Sequence, residues 1–459
     1  MKKTIYLLFS VVILAGIFSS CNEESLEPTL AQAKAVEGSI TNVEDVKGVL
    51  YGAFNRMTGS GYYGRDFIIW GEVRSDNCFS NGNSGRFVTD AEMDYTDNFG
   101  GHWAEAYQVI ASANIIIALD PAEIEGDADI LQHYQGQAYA IRALAHYDLL
   151  LYYGQQHTGG NLGVPYMEEY KGEDTAPARL SVDETKTKIK ADIATAISMM
   201  STSMDDPSKE LLTHYAAQAL KARVGTYFGE WNDVKTACEV IMNSGNYSIV
   251  QGVDYAASFL NDAAANSIFE LAYSSTDNAN INGLQQIYRG EAYGDVEGLK
   301  DLYNAFDEGD VRAAADMIGP DPDVPARLYV NLGKYPSYDY SDNIPVFRYE
   351  EVVLNYAEAL LNSGDAGGAL AQLNSITAER NAVAHTEATE ETILLERRRE
   401  LCFEGFRFHD LARTGNDIPV VDAFKQRHGG PAYGSYNYAF PIPVAEMDAN
   451  GNMVQNTGY

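Results

Sequence analysis

The sequence predicts a mainly α-helical protein, in which tetratricopeptide-like helical pairs form a scaffold with long, loop-rich insertions. Three observations support this fold class. Apolar residues recur at helical spacing over much of the chain, two capping boxes mark helix starts, and two segments share a helix–turn–helix pattern. The chain has 459 residues, of which 46% are hydrophobic, so it can bury a large core.

The first helices are predicted from capping boxes and apolar spacing. Thr41 and Glu44 form one box, and Ser181 and Glu184 form a second. Between them, residues 131–153 read as one long helix that ends at Gly154. The apolar positions expected to face the core are Val46, Val49, Leu50, Ala53 and Met57 in the first helix, and Ile189, Ile193, Ala196, Ile197 and Met200 after Ser181.

Two later segments resemble degenerate tetratricopeptide pairs. Each has a helix, a tight polar turn and a small residue, Ala237 or Ala369, that lets the return helix approach closely. Such pairs stack into a scaffold and expose their connecting loops. Nearer the C-terminus, Leu394, Leu401 and Phe408 recur every seven residues, which predicts one more helix face. The matching positions of the two pairs are Tyr227, Trp231, Ala237 and Ile241, and Leu360, Gly364, Ala369 and Leu373.

Helical spacing weakens in residues 60–100, 155–180 and 251–345, where Gly, Asn, Asp, Pro and Tyr are frequent. Long structured loops on a rigid scaffold often carry function, although such segments can also be insertions without a role. We expect one body over residues 41–459. Its helical scaffold would span 41–250 and 346–459, and its loop-rich ligand region would span 251–345.

Composition and motif spacing argue against several function classes. The chain has 32 basic and 65 acidic residues and a net charge of −33, which disfavours nucleic-acid binding. Cys78, Cys238 and Cys402 are far apart and lack C-x-x-C spacing, so neither a zinc site nor a disulfide framework is expected. Residues 59–64 match G-x-G-x-x-G without the strand that a dinucleotide site needs, and predict a turn. We expect no metal and no cofactor.

The N-terminus has the layout of a secretory signal. Lys2 and Lys3 precede an apolar run over residues 5–18, which is too short to span a bilayer. Small residues then lead to Cys21, at the position that carries lipid in bacterial lipoproteins. We therefore expect a signal peptide over residues 1–20 and a lipid-anchored tether over 21–40. The acidic residues after Cys21 fit either a surface-export signal or an ordinary solvated linker.

Four segments together resemble the SusD/RagB family of outer-membrane nutrient-binding lipoproteins. They are residues 139–154 followed by 163–165, residues 345–360, residues 396–413, and residues 441–446 running into 455–459. The chain departs from the family pattern in Thr457, where proline is usual. It also departs from the usual lipoprotein signal in Phe18, three residues before Cys21, where leucine is usual. The resemblance implies a SusD-like α-α superhelix with a loop-built ligand face. It also implies a SusC-like partner, a TonB-dependent outer-membrane transporter that the family member caps like a lid.

The resemblance implies that the protein binds an oligosaccharide at the cell surface, anchored to the outer membrane, and performs no chemistry on it. Peptide binding is the alternative within the same fold. An all-helical glycoside hydrolase and a tetratricopeptide adaptor are alternatives of other classes. The acidic and basic residues of segment 396–413 lie three or four apart, which predicts a structural ion network rather than a catalytic pair.

The ligand residues are expected in two loop regions, 60–100 and 280–340, brought together on one side. Sugars present flat C–H faces beside hydroxyl groups, so a site needs aromatic rings near polar side chains. Trp103 and Trp231 fall on predicted helices and are expected in the core, whereas Trp70 is ambiguous. The predicted ligand residues are Asp76, Phe79, Asn81, Arg86, Phe87, Tyr95, Tyr288, Arg289, Tyr293, Tyr335 and Tyr338.

Overall fold

The computed structural model describes residues 40–96, 99–172 and 175–459. The predicted signal peptide, the Cys21 lipidation site and nearly all of the tether lie outside the described residues. The helices are α1 Val43–Met57, α2 Asp66–Val73, α3 Val88–Glu92, α4 Trp103–Ile117, α5 Ala128–Tyr153, α6 Val182–Met199, α7 His214–Phe228, α8 Trp231–Ser244, α9 Tyr255–Ser258, α10 Leu284–Tyr288, α11 Lys300–Asn304, α12 Tyr349–Asn362, α13 Ala366–Glu379, α14 Glu390–Glu400, α15 Arg407–Arg413 and α16 Val444–Ala449. The strands are β1 Cys78–Ser80, β2 Ser267–Leu271, β3 Val296–Gly298, β4 Ile318–Gly319, β5 Val330–Asn331 and β6 Ile344–Arg348.

The long helices stack in chain order, which confirms the mainly α prediction. Helix α1 packs on α4, α4 on α5, α5 on α6, α6 on α7, and α7 on α8. Helix α8 then packs on α12, which pairs with α13 and contacts α14. The predicted helical pairs correspond to α7 with α8 and to α12 with α13, and Ala237 and Ala369 are fully buried in them. No helix in the described ranges is long and apolar enough to cross a membrane.

Helix ends show where the sequence signals succeed and fail. The box of Ser181 and Glu184 is present at the start of α6. At α1 the predicted box is wrong, because Asn42 is the N-cap and its side chain accepts from the backbone N–H groups of Glu44 and Asp45. An Asn side chain reaches these unpaired N–H groups as readily as Thr does.

The seven-residue repeat near the C-terminus is also misleading. Helix α14 ends at Glu400, and α15 begins at Arg407. Between them Phe403 and Gly405 have positive φ values of 65° and 86°, a left-handed conformation that interrupts the helix. Leu394 and Phe408 therefore lie on different helices, and the repeat does not define one continuous face.

The loop-rich insertion contains short antiparallel pairs rather than a large sheet. Strand β2 pairs with β6, β4 with β5, and β1 of the N-terminal half with β3. The three cysteines among the described residues, Cys78, Cys238 and Cys402, are buried free thiols. Trp103 and Trp70 are both buried, and the Trp70 ring packs edge-on against Phe440 at 5.2 Å, so it belongs to the core.

Candidate functional site

The two loop regions expected to form the ligand face are joined by a short β ladder. Strand β1 pairs antiparallel with β3, with Phe79 opposite Glu297 and Ser80 opposite Val296. The ladder continues one step further, because the backbone N–H of Asn81 donates to the carbonyl of Asp295 over 2.8 Å. Residues 78–86 and 282–298 therefore lie side by side, as the sequence predicted.

Side chains fix the loop that follows β1 to the turn that precedes β3. The Asn81 amide donates to the Gly294 carbonyl over 2.7 Å and to the Glu297 carboxylate over 2.8 Å. The Asn83 amide donates to the Tyr293 carbonyl over 2.6 Å. The hydroxyl of Ser84 donates to the Asp295 carboxylate over 2.7 Å. These bonds order two exposed loops relative to each other before any ligand arrives.

Arg86 and Tyr293 form the centre of this junction. The guanidinium carbon of Arg86 lies 3.9 Å from the centre of the Tyr293 ring. Arg86 also donates to the Ser84 hydroxyl over 3.0 Å and, more weakly, to the Asn282 side-chain oxygen over 3.4 Å. Both Arg86 and Tyr293 are partly exposed, and no carboxylate in the described part of the chain pairs with Arg86. A stacked guanidinium keeps N–H donors free at its edge.

A second aromatic residue continues the surface. Tyr338 is 66% exposed, and the guanidinium of Arg289 lies 5.6 Å from its ring centre. Arg289 itself is buried and donates to the backbone carbonyls of Leu332 and Pro336, so it supports the loop from below. The Asn278 amide donates to the Asp339 carbonyl over 3.4 Å, which links this loop to the 278–282 turn.

We use the name loop surface for the exposed and partly exposed side chains that these contacts bring together. The loop surface offers two tyrosine rings, one unpaired guanidinium and several carboxamides, all held by backbone-anchored loops. It has no facing pair of free carboxylates among these residues. Its residues are Asn83, Arg86, Asn278, Asn282, Tyr293 and Tyr338.

Most of the other predicted ligand rings are part of the protein core. Tyr288 is only 1% exposed, and its hydroxyl donates to the Phe403 carbonyl over 3.0 Å. Tyr335 is buried with its ring parallel to that of Tyr288, and Tyr95 is buried with its ring 4.8 Å from Phe440. These rings show no face to solvent in this structure, which corrects the expectation that they lie open to a ligand.

Three further predicted residues also have structural partners. Phe87 is buried beneath Arg65 and, at φ +58°, caps the start of α3 in a left-handed conformation. Phe79 is covered by Lys425, whose ammonium lies 4.6 Å from the ring centre. Asp76 is buried and accepts from the Arg407 guanidinium over 2.6 Å. Burial alone would raise the pKa of Asp76, but Arg407 lowers it.

Arg86, Tyr293 and Tyr338 of the loop surface were predicted from the sequence as ligand residues, whereas Asn83 and Asn278 were not. Asn83, Asn278 and Asn282 are separated by nearly two hundred residues at their widest, and only the β1–β3 ladder brings them together. Asparagine is frequent in the predicted loop segments. Frequency alone does not separate a turn-forming Asn from one that faces a ligand.

A separate cleft of about 650 Å³ lies between α4, residues 165–172 with 175–177, and α16. Its polar groups mostly tie its own walls together. The Tyr107 hydroxyl donates to the Pro165 carbonyl over 2.8 Å, and the Asn450 amide donates to the Pro177 carbonyl over 2.8 Å. These hydrogen bonds hold the walls of the cleft together. Among the described residues, no group of three or more His, Cys, Asp or Glu side chains could hold a metal ion.

Comparison with known proteins places the chain in a family. A sequence profile described as "SusD family" matches residues 324–459, and another described as "Starch-binding associating with outer membrane" matches residues 37–225. A SusD-like protein of Formosa agariphila is 24% identical over 100% of this chain and 99% of its own. The starch-binding protein SusD of Bacteroides thetaiotaomicron is 34% identical over 134 residues, which are 28% of this chain and 23% of that protein.

Solved structures agree with the sequence matches. A SusD superfamily protein of Bacteroides vulgatus is 25% identical and superimposes with a TM-score of 0.83, covering 91% of this chain and 99% of its own. A second, from Bacteroides thetaiotaomicron, is 26% identical with a TM-score of 0.82, covering 90% of this chain and 99% of its own. Carbohydrate binding and outer-membrane association are thus supported at the level of the family. The helical stack, the motif segments and these matches all show that the chain belongs to the SusD/RagB family.

Proposed function

We propose that this protein is a cell-surface lipoprotein that binds an oligosaccharide and delivers it to a SusC-like TonB-dependent transporter without changing it chemically. The observation that carries the proposal is the loop surface, where Arg86 stacks on Tyr293 and contacts Asn282. The exposed Tyr338 lies on the neighbouring loop that Asn278 contacts. The surface is open and its loops are fixed by internal hydrogen bonds. An open surface of this kind can contact one side of a ligand without enclosing it.

The chemistry of the loop surface suits a sugar chain. A tyrosine ring can cover the apolar C–H face of a sugar, while carboxamides and a guanidinium edge exchange hydrogen bonds with its hydroxyls. Because each stacked ring contributes only about 1 kcal/mol, a site with two such rings would bind in the micromolar to millimolar range. Weak binding lets a receptor release its ligand to a transporter.

The relatives support the ligand class and the location. One curated relative is named as a starch-binding protein, and one matching family profile is described as associating with the outer membrane. Anchoring through lipid on Cys21 would hold the body at that membrane. The pairing with a transporter is carried over from the family resemblance.

The carboxylates near the loop surface hold its loops in place, which supports binding without catalysis. A glycosidase needs two carboxyl groups placed across the scissile bond. At the loop surface, Asp295 accepts from the N–H and hydroxyl of Ser84, Glu297 accepts from Asn81, and Asp342 accepts from Ser337. These carboxylates are engaged in holding the loops in place.

The ligand class is tested by calorimetry with maltohexaose, laminarihexaose and xylohexaose, with a peptide library measured in parallel. We expect saturable binding of at least one oligosaccharide, and its chain length should stay unchanged over hours when followed by chromatography. Binding of peptides alone would favour the alternative within the family. Product formation that persists through repurification would contradict binding without catalysis.

Anchoring and transport are tested in the native membrane. A Cys21→Ala variant should leave the outer-membrane fraction, and the wild-type protein should co-purify in mild detergent with a TonB-dependent barrel. An unmodified chain that starts at Met1 in the membrane fraction would contradict lipidation. Co-purification of no such barrel, together with unchanged growth on the ligand after deletion of the barrel, would contradict delivery.

A further inference from the structure

A tight turn next to the loop surface presents one aromatic side chain entirely to solvent. Phe424 has a relative exposure of 101%, the highest of any large hydrophobic residue among the described residues. Val420 and Val421, at the start of the same turn, are also exposed. A phenylalanine ring is usually buried because water contact is unfavourable for it. A fully exposed ring on an ordered turn therefore points to a binding role.

The turn is anchored by a buried glutamine. Gln426 is 3% exposed, and its amide donates to the carbonyls of Ser75 and Pro419 over 3.1 Å and 2.8 Å. Its side-chain oxygen accepts from the backbone N–H of Val421 over 2.7 Å. The Asp422 carboxylate accepts from the N–H of Phe424 over 3.1 Å. These hydrogen bonds fix the turn, so the exposed Phe424 ring lies on an ordered segment.

The anchored turn is continuous with the loop surface. Lys425 covers the Phe79 ring on strand β1 at 4.6 Å. A terminal nitrogen of Arg427 lies 3.7 Å from the position that a Cβ atom would occupy on Gly82. Gly82 directly precedes Asn83, whose amide bonds the Tyr293 carbonyl. Residues 79–83 therefore contact both the Phe424 turn and the turn that carries Tyr293.

We propose that Phe424 forms an outer subsite that stacks against a sugar unit beyond those bound at Arg86 and Tyr293. This inference rests on the proposed function and names a ligand class within it, an oligosaccharide long enough to reach from Tyr293 across Asn83 to Phe424. Lys425 follows the ring in sequence and lies over Phe79 at 4.6 Å, while Arg427 pairs with Glu92 at 3.2 Å. The N–H groups of Arg427 that this pair does not use remain as donors for the hydroxyls of that unit. A short oligosaccharide that occupies the centre of the loop surface does not reach the subsite.

The subsite is tested by the dependence of affinity on chain length. Wild type and Phe424→Ala are titrated with maltotriose and maltoheptaose, and with the laminari-oligosaccharides of the same two lengths. In a series that binds, we expect the variant to lose about fivefold in affinity for the seven-unit chain, the scale of one aromatic contact, and nothing for the three-unit chain. Equal affinity of wild type and variant for both lengths would overturn the subsite.

Matched variants distinguish a sugar subsite from a protein contact at Phe424. Tyr51→Ala removes a ring that is 44% exposed on α1 and lies near Lys47, and it should leave both affinities unchanged. Phe424→Trp keeps a stacking ring and should retain the length dependence. Loss of transporter co-purification in Phe424→Ala with unchanged sugar affinity would overturn the subsite in favour of a protein contact. If the wild type binds neither of these series nor xylohexaose, the proposed function falls and the subsite falls with it. If it binds xylohexaose alone, xylo-oligosaccharides of three and six units replace these series in the same test.

Discussion

Arginine plays opposite roles in two regions of this molecule. At the junction of the insertion with the helical scaffold, Arg312, Arg348 and Arg380 are buried and surrounded by carboxylates. At the loop surface, Arg86 is partly exposed, stacks on a tyrosine and has no carboxylate partner among the described residues. The difference separates charges that hold the fold together from charges that remain available to a ligand.

The buried network joins the insertion to α14. Arg312 of the insertion contacts Glu396 at 2.6 Å and Glu400 at 3.2 Å, and Lys334 contacts Glu404 at 2.5 Å. Arg348 and Arg380 complete the shell around Glu400 at 3.3 Å and 3.0 Å. Burial would raise the pKa of Glu400, but these three arginines lower it far below its usual range. A structural ion network was predicted for segment 396–413 from residues three or four apart. Its carboxylates do form such a network, but Glu396, Glu400 and Glu404 pair mainly with basic residues from outside the segment.

The largest effect should come from neutralising the centre of this network. Glu400→Gln leaves three buried guanidinium groups without their shared carboxylate, and removing one partner from a buried ion pair costs about 3–5 kcal/mol. We expect the free energy of unfolding to fall by about that amount in urea titrations. Glu387→Gln, which changes an exposed glutamate just before α14, should change it by less than about 0.5 kcal/mol. Equal stability of both variants would show that the network is not needed for the fold.

Substitutions of Tyr288 test whether the buried aromatic residues stabilise the fold, as the ion network does, or bind the ligand, as the loop surface is proposed to do. Its ring packs edge-on against Phe403 at 5.3 Å, so Tyr288→Ala should cost about 3 kcal/mol through the cavity that it leaves. Tyr288→Phe keeps the ring and should cost only about 1 kcal/mol, the value of the lost hydrogen bond. If Tyr288→Ala keeps the wild-type melting temperature but loses oligosaccharide binding, the ring is a ligand contact after all.

These cases explain which parts of the structure could be predicted. Helix positions follow from local spacing, so the box at Ser181 was predictable, as was the pair of Arg413 with Asp410, three residues apart within 396–413. The three arginines around Glu400 come from distant segments and could not be predicted in this way. Burial of a loop aromatic depends on partners far away in sequence. Tyr95 meets Phe440, and Tyr288 meets Phe403, across more than a hundred residues in each case. No local pattern distinguishes these rings from Tyr338, whose loop turns outward.

The free energy of unfolding should depend on pH through a buried histidine, whereas the affinity for an oligosaccharide should not. The neutral His146 ring suits its two bonds, because Nδ1 faces the Arg142 carbonyl at 2.9 Å and Nε2 accepts from the Met167 N–H at 3.0 Å. Burial lowers the pKa of His146 to about 3. The unfolded chain binds this proton below about pH 6.5, so acidification favours unfolding by about 1.4 kcal/mol per pH unit for this group.

This titration is checked by urea unfolding of the wild type and His146→Gln at pH 7, 6 and 5. The variant should show a shallower loss of stability on acidification, by about one proton. Oligosaccharide affinity measured on folded protein should stay constant over the same range, since the Arg86 guanidinium stays charged throughout. A parallel pH dependence of the two proteins would mean that His146 is not the group responsible.

The smallest expected effect lies at the loop surface, and it bears most directly on function. Arg86→Ala removes the guanidinium from Tyr293 and should weaken oligosaccharide binding by about 1 kcal/mol, roughly fivefold, while stability changes by less than about 0.5 kcal/mol. Arg86→Lys keeps the charge but loses the flat stacking group, so it should recover only part of the affinity. Arg56→Ala, an exposed arginine on α1 without a carboxylate partner in the described chain, is the matched control and should bind like the wild type. If Arg86→Ala unfolds the protein, Arg86 belongs with the buried arginines as a group that holds the fold. If it binds with unchanged affinity, the ligand lies elsewhere.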